Sequence, residues 1–128
     1  LKTISVTCAI IYFENKILAV QRSETMKLPL KWEFPGGKIE MGESEIDCVK
    51  REILEELNIH IKIKQKLTSV NHQYSDFRIN LIPFIAEYIS GELKLKEHSA
   101  HVLLDKNELY KLNWAEADLP ILKEFTAL

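Results

Sequence analysis

Glu52, Glu55 and Glu56 stand at i, i+3 and i+4 within the run GKIEMGESEIDCVKREILEELNI, residues 37–59. On a helix this spacing brings side chains together on one surface. At about 100° per residue the three fall within an arc of roughly 100°. Like charges grouped this way cost about 0.2–0.5 kcal/mol per pair. Carboxylate oxygens clustered on one face suit a hard divalent cation such as Mg²⁺ or Mn²⁺. The three acids alone read more readily as a solvated helix face, and the residues around them decide between the two.

The order Gly37, five residues, Glu43, seven residues, Arg51-Glu52-Ile53, one residue, Glu55-Glu56, one residue, Asn58-Ile59 resembles the box of the Nudix hydrolases. That box reads Gly-x5-Glu-x7-Arg-Glu-U-x-Glu-Glu-x-Gly-U, with U a bulky aliphatic residue. One fixed position departs: Asn58 stands where the family has Gly. A helix C-terminus commonly needs a left-handed residue, and Asn is the next choice after Gly. The run WEFPGGKIEMGES is similar to the MutT branch. The tail EHSAHVLLDKNELYKLNWAEADLPILKEFTAL is similar to the CTP pyrophosphohydrolases.

The resemblance implies one domain over residues 1–128, with the α/β/α sandwich of that family. It implies Mg²⁺ or Mn²⁺ held by Glu52, Glu55, Glu56 and the Gly37 carbonyl. Glu97, outside the box, matches an acid that faces the metal from a distant loop, as a further ligand or the general base. Glu52 is the first candidate for activating water. Arg22 matches a phosphate-contacting arginine, and Lys38 is a second candidate for that role. A guanidinium suits phosphate oxygens. Arg51 and Glu43 are structural members of the box. Arg51 lies four residues before Glu55 and is expected to orient an acid, and Glu43 suits the positive end of the helix that follows.

The implied reaction is metal-dependent hydrolysis of a nucleoside triphosphate to the monophosphate and pyrophosphate, on CTP, dCTP or a modified pyrimidine nucleotide. Within the same chemistry the alternative is an 8-oxo-dGTP diphosphatase. ADP-ribose is disfavoured, because no proline follows the box at the distance that subgroup carries one. A non-catalytic nucleotide-binding module is the other class, and the three retained acids argue against it. Asp118 aligns with the position that meets the base edge, where a carboxylate can accept from the exocyclic amine of cytosine. Asp118 is also expected to cap the last helix. Phe34, with Trp32, Tyr74 and Phe77, is a candidate platform for the base.

The remaining candidates have plainer readings. Cys48, one turn before Glu52, reads as a small packing residue. His72, His98 and His101 show no metal spacing. His98 beside Glu97 reads as a solvated loop histidine that can reach a phosphate.

These side chains need elements to hold them. Residues 3–13 and 16–21 read as strands around a Glu14-Asn15 turn, and 22–31 as a polar loop. Trp32–Phe34 reads as a short strand ending at Pro35-Gly36-Gly37. The main helix is expected from Ser44 to Leu57, with Ser44 and Asp47 as its cap pair and Ile46, Val49, Ile53 and Leu57 as its buried stripe. Residues 59–74, 77–90, 92–96 and 101–104 read as strands. Lys62, Lys64 and Lys66 alternate to give a solvated face. Asp105–Glu108 repeats a capping box, and a final helix runs from Asp118, with Pro120 in its first turn, to about residue 126. Mixed strands with a central and a terminal helix make the class α/β (α+β), with a mixed sheet between helices.

A chain of 128 residues is the size of one domain with a real core. Its net charge of −2 supplies no field for nucleic-acid backbone or membrane, so attraction of a triphosphate has to be local and metal-assisted. Cys8 and Cys48 fit neither a disulfide framework nor a zinc site and are expected reduced, in a cytoplasm. No 18-residue apolar run is present and no leader is expected. A monomer or homodimer with a nucleoside triphosphate as its partner completes the expectation.

Overall fold

The computed structural model describes the chain from Leu1 to Leu128. Its elements in order are β1 (Thr3–Phe13), β2 (Lys16–Gln21), β3 (Trp32–Glu33), β4 (Gly36–Lys38), α1 (Glu45–Leu57), β5 (His60–Lys66), β6 (Val70–Gln73), β7 (Arg78–Ser90), β8 (Ala100–Leu104) and α2 (Leu119–Thr126). Short 3₁₀ turns cover Lys106–Lys111 and Glu116–Asp118.

The sheet is mixed. β1 and β7 pair in parallel from Thr3↔Arg78 to Tyr12↔Glu87, while β2 pairs antiparallel with β1, and β5 and β6 with β7. The main path runs β3-β2-β1-β7-β5, with β4 on β1 and β8 on β2.

β1 and β2 are apolar at consecutive positions because both faces of the sheet are covered. Cys8, Ile10, Ile17 and Ala19 face one way, and pack with Ile121, Leu122 and Phe125 of α2. Ala9, Ile11, Leu18 and Val20 face the other way, and pack with Val49, Ile53 and Leu57 of α1. Side chains alternate along a strand, so one apolar run builds two cores. The result is the expected helix–sheet–helix sandwich. Burying the three α1 residues is worth about 4–9 kcal/mol. That far exceeds the repulsion among the acids, so the helix can present them without losing its seat.

The ends of α1 follow local chemistry. Ser44 Oγ accepts from the Asp47 N–H at 3.1 Å. Asn58 adopts the left-handed conformation with φ 61°, and its N–H bonds the Leu54 carbonyl. Ile46, expected in the buried stripe, is 44% exposed, and Cys48 is fully buried. The first turn is rolled toward β4, where Cys48 Sγ meets the Lys38 carbonyl at 3.4 Å and Thr7 Oγ1 at 3.2 Å.

Three other expectations change. Gly36–Lys38 is a strand, paired with Val6–Cys8 of β1. Residues 92–96 are not a strand. They run beside the end of α1, where the Lys94 and Lys96 N–H groups bond the Leu57 and Glu56 carbonyls at 3.0 and 3.1 Å. The last carbonyls of a helix have no partner within it, so this segment satisfies them. Asp118 does not cap α2: its backbone is helical and its side chain makes no cap bond.

Candidate active site

A cleft of about 750 Å³ opens between α1, β4, the loop after β2 and the segment before β8. One end is acidic, lined by Glu52, Glu56 and Glu97 with Gly37 and Lys38. The other end is apolar and closed by Asp118.

The acidic end is built by α1 pressing on β4. A Cβ on Gly37 would stand 2.1 Å from Glu52 Oε2, so only a glycine lets the backbone pass this carboxylate. Arg51 ties the acids together. Its Nε and Nη2 donate to the two Glu43 oxygens at 2.6 and 3.0 Å, and its Nη1 donates to Glu52 at 2.7 Å and Glu55 at 3.0 Å. The expected Arg51–Glu55 contact is present, and Glu43 receives the stronger, bidentate grip. That grip holds the Glu43 carboxyl down to about 2, first through the Arg51 hydrogen bond and then through the Glu40 backbone.

The three box acids do not share one setting. The Glu52 side chain is 16% exposed and lines the cleft. Glu55 is half exposed, bonded to Arg51 and outside the cleft lining. Glu56 lines the cleft with Oε2 buried and without a hydrogen-bond partner. Burial raises the Glu56 carboxyl, with the Glu97 and Glu52 charges adding to it. Burial also raises Glu52, against the Arg51 hydrogen bond.

No three acidic, histidine or cysteine side chains close around a single point. The donor set nevertheless fits a hard cation: a buried carboxylate oxygen with no partner, facing two further acids, is the kind of cost a divalent ion offsets. Glu97 reaches this end because Lys96 is bonded to the last turn of α1.

At the other end, Asp118 is 5% exposed. Its Oδ2 accepts the Phe34 N–H at 2.9 Å. Burial, then the Glu33 charge, pushes its carboxyl well above the usual range, against the pull of the Phe34 N–H. Phe34 itself is 3% exposed and leans on Trp114 with ring centroids 4.6 Å apart, so its side chain belongs to the core as much as to the cleft wall. Trp32 does not line the cleft, whereas Tyr74 and Phe77 do. Those two rings stack at 5.1 Å, with Lys27 Nζ over Phe77.

Between the two ends lies a feature not read from the sequence. Glu33 accepts from Arg22 Nη1 at 2.8 Å through one oxygen and from His98 Nε2 at 2.9 Å through the other. The His98 side chain is 5% exposed rather than solvated. Arg22 lines the cleft as expected, its guanidinium shared with Glu33 and the Lys27 carbonyl. Lys38 lines the cleft on its exposed side. The available signal for Glu33 was its place beside Trp32 on β3: side chains alternate along a strand, and Trp32 does not line the cleft.

The structure thus draws Gly37, Lys38, Glu52, Glu56, Glu97, Arg22, Phe34 and Asp118 around one cleft, and leaves Glu55, Glu43 and Arg51 behind it as a network. No helix is long and apolar enough to cross a membrane.

Comparison with known proteins identifies the family. A family model described as NUDIX domain matches residues 1–125. The CTP pyrophosphohydrolase of Escherichia coli K12 is 35% identical over 128 residues, covering 100% of this chain and 95% of the relative. The 8-oxo-dGTP diphosphatase of the same strain is 35% identical over 96 residues, 72% of each chain. Among solved structures, the DNA mismatch repair protein MutT, of the Nudix hydrolase family, from methicillin-resistant Staphylococcus aureus 252 superposes with a TM-score of 0.80. It is 42% identical, and the match covers 98% of this chain and 97% of that one. An acid-bearing helix pressed on a glycine strand, in a sandwich matched along nearly its whole length, makes this chain a member of the Nudix hydrolases.

Proposed function

We propose that this Nudix hydrolase is a pyrophosphohydrolase that converts a nucleoside triphosphate and water to the monophosphate and pyrophosphate, with CTP, dCTP or a modified pyrimidine nucleotide as its substrate. The observation that carries the reading is the buried, unpartnered Glu56 oxygen beside Glu52 and Glu97 at one end of a nucleotide-sized cleft. Glu52, Glu56, Glu97 and the Gly37 carbonyl would hold Mg²⁺ or Mn²⁺ there, with Glu55 joining from the edge. When bound, the ion neutralises phosphate charge and polarises the attacking water. Glu52 would take the proton from the attacking water. Arg51, fixed by Glu43, keeps Glu52 in place. Arg22 and Lys38 meet the phosphates. Water is excluded at the apolar end, where Tyr74 and Phe77 flank the base.

Asp118 supports the pyrimidine assignment. One oxygen is committed to Phe34, and the carboxyl lines the cleft rather than capping α2. It is free to meet the amine edge of cytosine. The relation to a CTP pyrophosphohydrolase over nearly the full length of both chains points the same way. Oxidised dGTP is the second reading, favoured by the likeness to an 8-oxo-dGTP diphosphatase.

The test is pyrophosphate release with Mg²⁺ across CTP, dCTP, 5-methyl-dCTP and 8-oxo-dGTP, ranked by kcat/KM. Glu56→Gln is expected to cut turnover by orders of magnitude while the fold survives. No turnover on any nucleotide, or near-full turnover in Glu56→Gln, would refute the proposal.

A further inference from the structure

Of the three acids that line the cleft as proposed metal ligands, Glu52, Glu56 and Glu97, only Glu97 lies outside α1. It sits in an irregular segment whose nearest backbone anchors are Lys96 N–H to the Glu56 carbonyl and Ser99 N–H to the Gln21 carbonyl, at 3.1 and 2.9 Å. Between these anchors the most buried side chain is that of His98, 5% exposed. Its Nε2–H donates to Glu33 at 2.9 Å, and its Nδ1 is buried without a partner. An unpaired buried polar atom is destabilising. An apolar ring would fill the space without that cost, so packing alone does not account for an imidazole here. Glu33 is in turn bonded by Arg22, at the end of β2, the strand that pairs with β8. One carboxylate therefore ties β3 to the end of β2 and to the segment before β8, and this brace ends one residue from Glu97.

We propose that His98, held by Glu33, is a positioning residue for Glu97: the Glu33–His98 contact sets how far the Glu97 carboxylate reaches toward the acids of α1. The proposal rests on the reading of those acids as a metal site. Outer partners of this kind change metal affinity by about 10–100-fold when removed.

The experiment measures Mn²⁺ binding to the nucleotide-free protein by the electron paramagnetic resonance of free Mn²⁺, beside kcat and KM for CTP. His98→Phe is expected to weaken Mn²⁺ binding about 10-fold or more and to lower kcat with KM nearly unchanged. His98→Gln, which can still donate to Glu33, restores a large part of both. Glu33→Ala removes the other end of the brace, and so gives the same loss of Mn²⁺ affinity even if the phenylalanine variant fails to fold. Because His98 acts through Glu97, His98→Phe adds no loss to Glu97→Gln in a double-mutant cycle. Additive losses, wild-type affinity in Glu33→Ala, or wild-type affinity in Glu97→Gln would overturn the proposal. Glu56→Gln separates the two readings. If it keeps wild-type Mn²⁺ affinity, the metal site itself is misassigned; if it loses affinity while Glu33→Ala and His98→Phe retain it, only the brace is wrong.

Discussion

Replacing Gly37 by alanine would test whether the close approach of β4 to α1 is what sets the geometry of Glu52. The new Cβ would stand 2.1 Å from Glu52 Oε2, 2.2 Å from its Cδ and 2.7 Å from its Cγ, where ordinary contact begins at 3.4 Å. The Glu52 carboxylate must therefore retreat by more than about 1 Å, or β4 must lift from the helix. Gly37 is not among the residues with positive φ, so alanine is not strained by the backbone and the effect is crowding alone. A displacement of about 1 Å at a reacting group is worth roughly 100-fold in rate. Overpacking costs about 1–3 kcal/mol in stability. Gly37→Ala is thus expected to lose about 100-fold in turnover at a modest fall in the urea midpoint. Glu52→Ala removes the atoms that clash, so in that background the Gly37→Ala penalty should shrink to near zero. Pyrophosphate release and urea unfolding of the four proteins in the cycle give both answers. A stability penalty of equal size with and without the Glu52 side chain, or turnover close to wild type in Gly37→Ala, would refute the reasoning.

Asp118→Asn keeps an oxygen for the Phe34 N–H but replaces the other with a donor. The ratio of kcat/KM for CTP over 8-oxo-dGTP is expected to fall by about 5–150-fold, the equivalent of roughly 1–3 kcal/mol; an unchanged ratio removes Asp118 from base recognition. The same variant has a stability signature. The folded Asp118 carboxyl is raised well above its usual value by burial, so wild-type stability from this group is fully present below the ordinary carboxyl range and declines as pH rises toward the folded value. The asparagine variant should gain on wild type in melting temperature as pH climbs from 4 to 8. Glu43 acts in the opposite sense: held down to about 2 by Arg51, it contributes stability above the ordinary value that is lost as pH falls from about 4.5 toward 2. Arg51→Ala is expected to melt several degrees lower at pH 7 and to show a shallower loss over that acid window in urea titrations. Ile53→Ala, in the fully buried stripe of α1, should cost about 2–5 kcal/mol, against well under 1 kcal/mol for the exposed Ile46→Ala.

Much of the scaffold was legible because its determinants are local. The Ser44 cap, the left-handed Asn58, the two-faced runs of β1 and β2 and the Arg51–Glu55 pair depend on neighbours within a turn or a strand, and the structure contains each. The errors fall where local pattern and tertiary demand diverge. Ile46 fits the helical stripe by spacing, yet the roll of α1 onto β4 buries Cys48 instead. Residues 92–96 alternate like a strand, yet the unpaired carbonyls at the end of α1 claim their N–H groups. Asp118 carries the side chain of a cap, yet it turns to the Phe34 backbone N–H just after β3.

By itself the sequence determined which face of which helix would carry the acids, and that this face belongs to a Nudix box. It also determined that a sheet buried on both sides would support that helix. Only the tertiary structure decided that Glu33 would join Arg22 to His98. It likewise separated Glu55 from the cleft and bound Asp118 to Phe34. The reason is range. Helical and strand periodicities are set by side chains a few residues apart, whereas the His98–Glu33 and Asp118–Phe34 contacts join positions 65 and 84 residues apart. Such contacts exist only once the register of β2 against β3 and β8 is fixed.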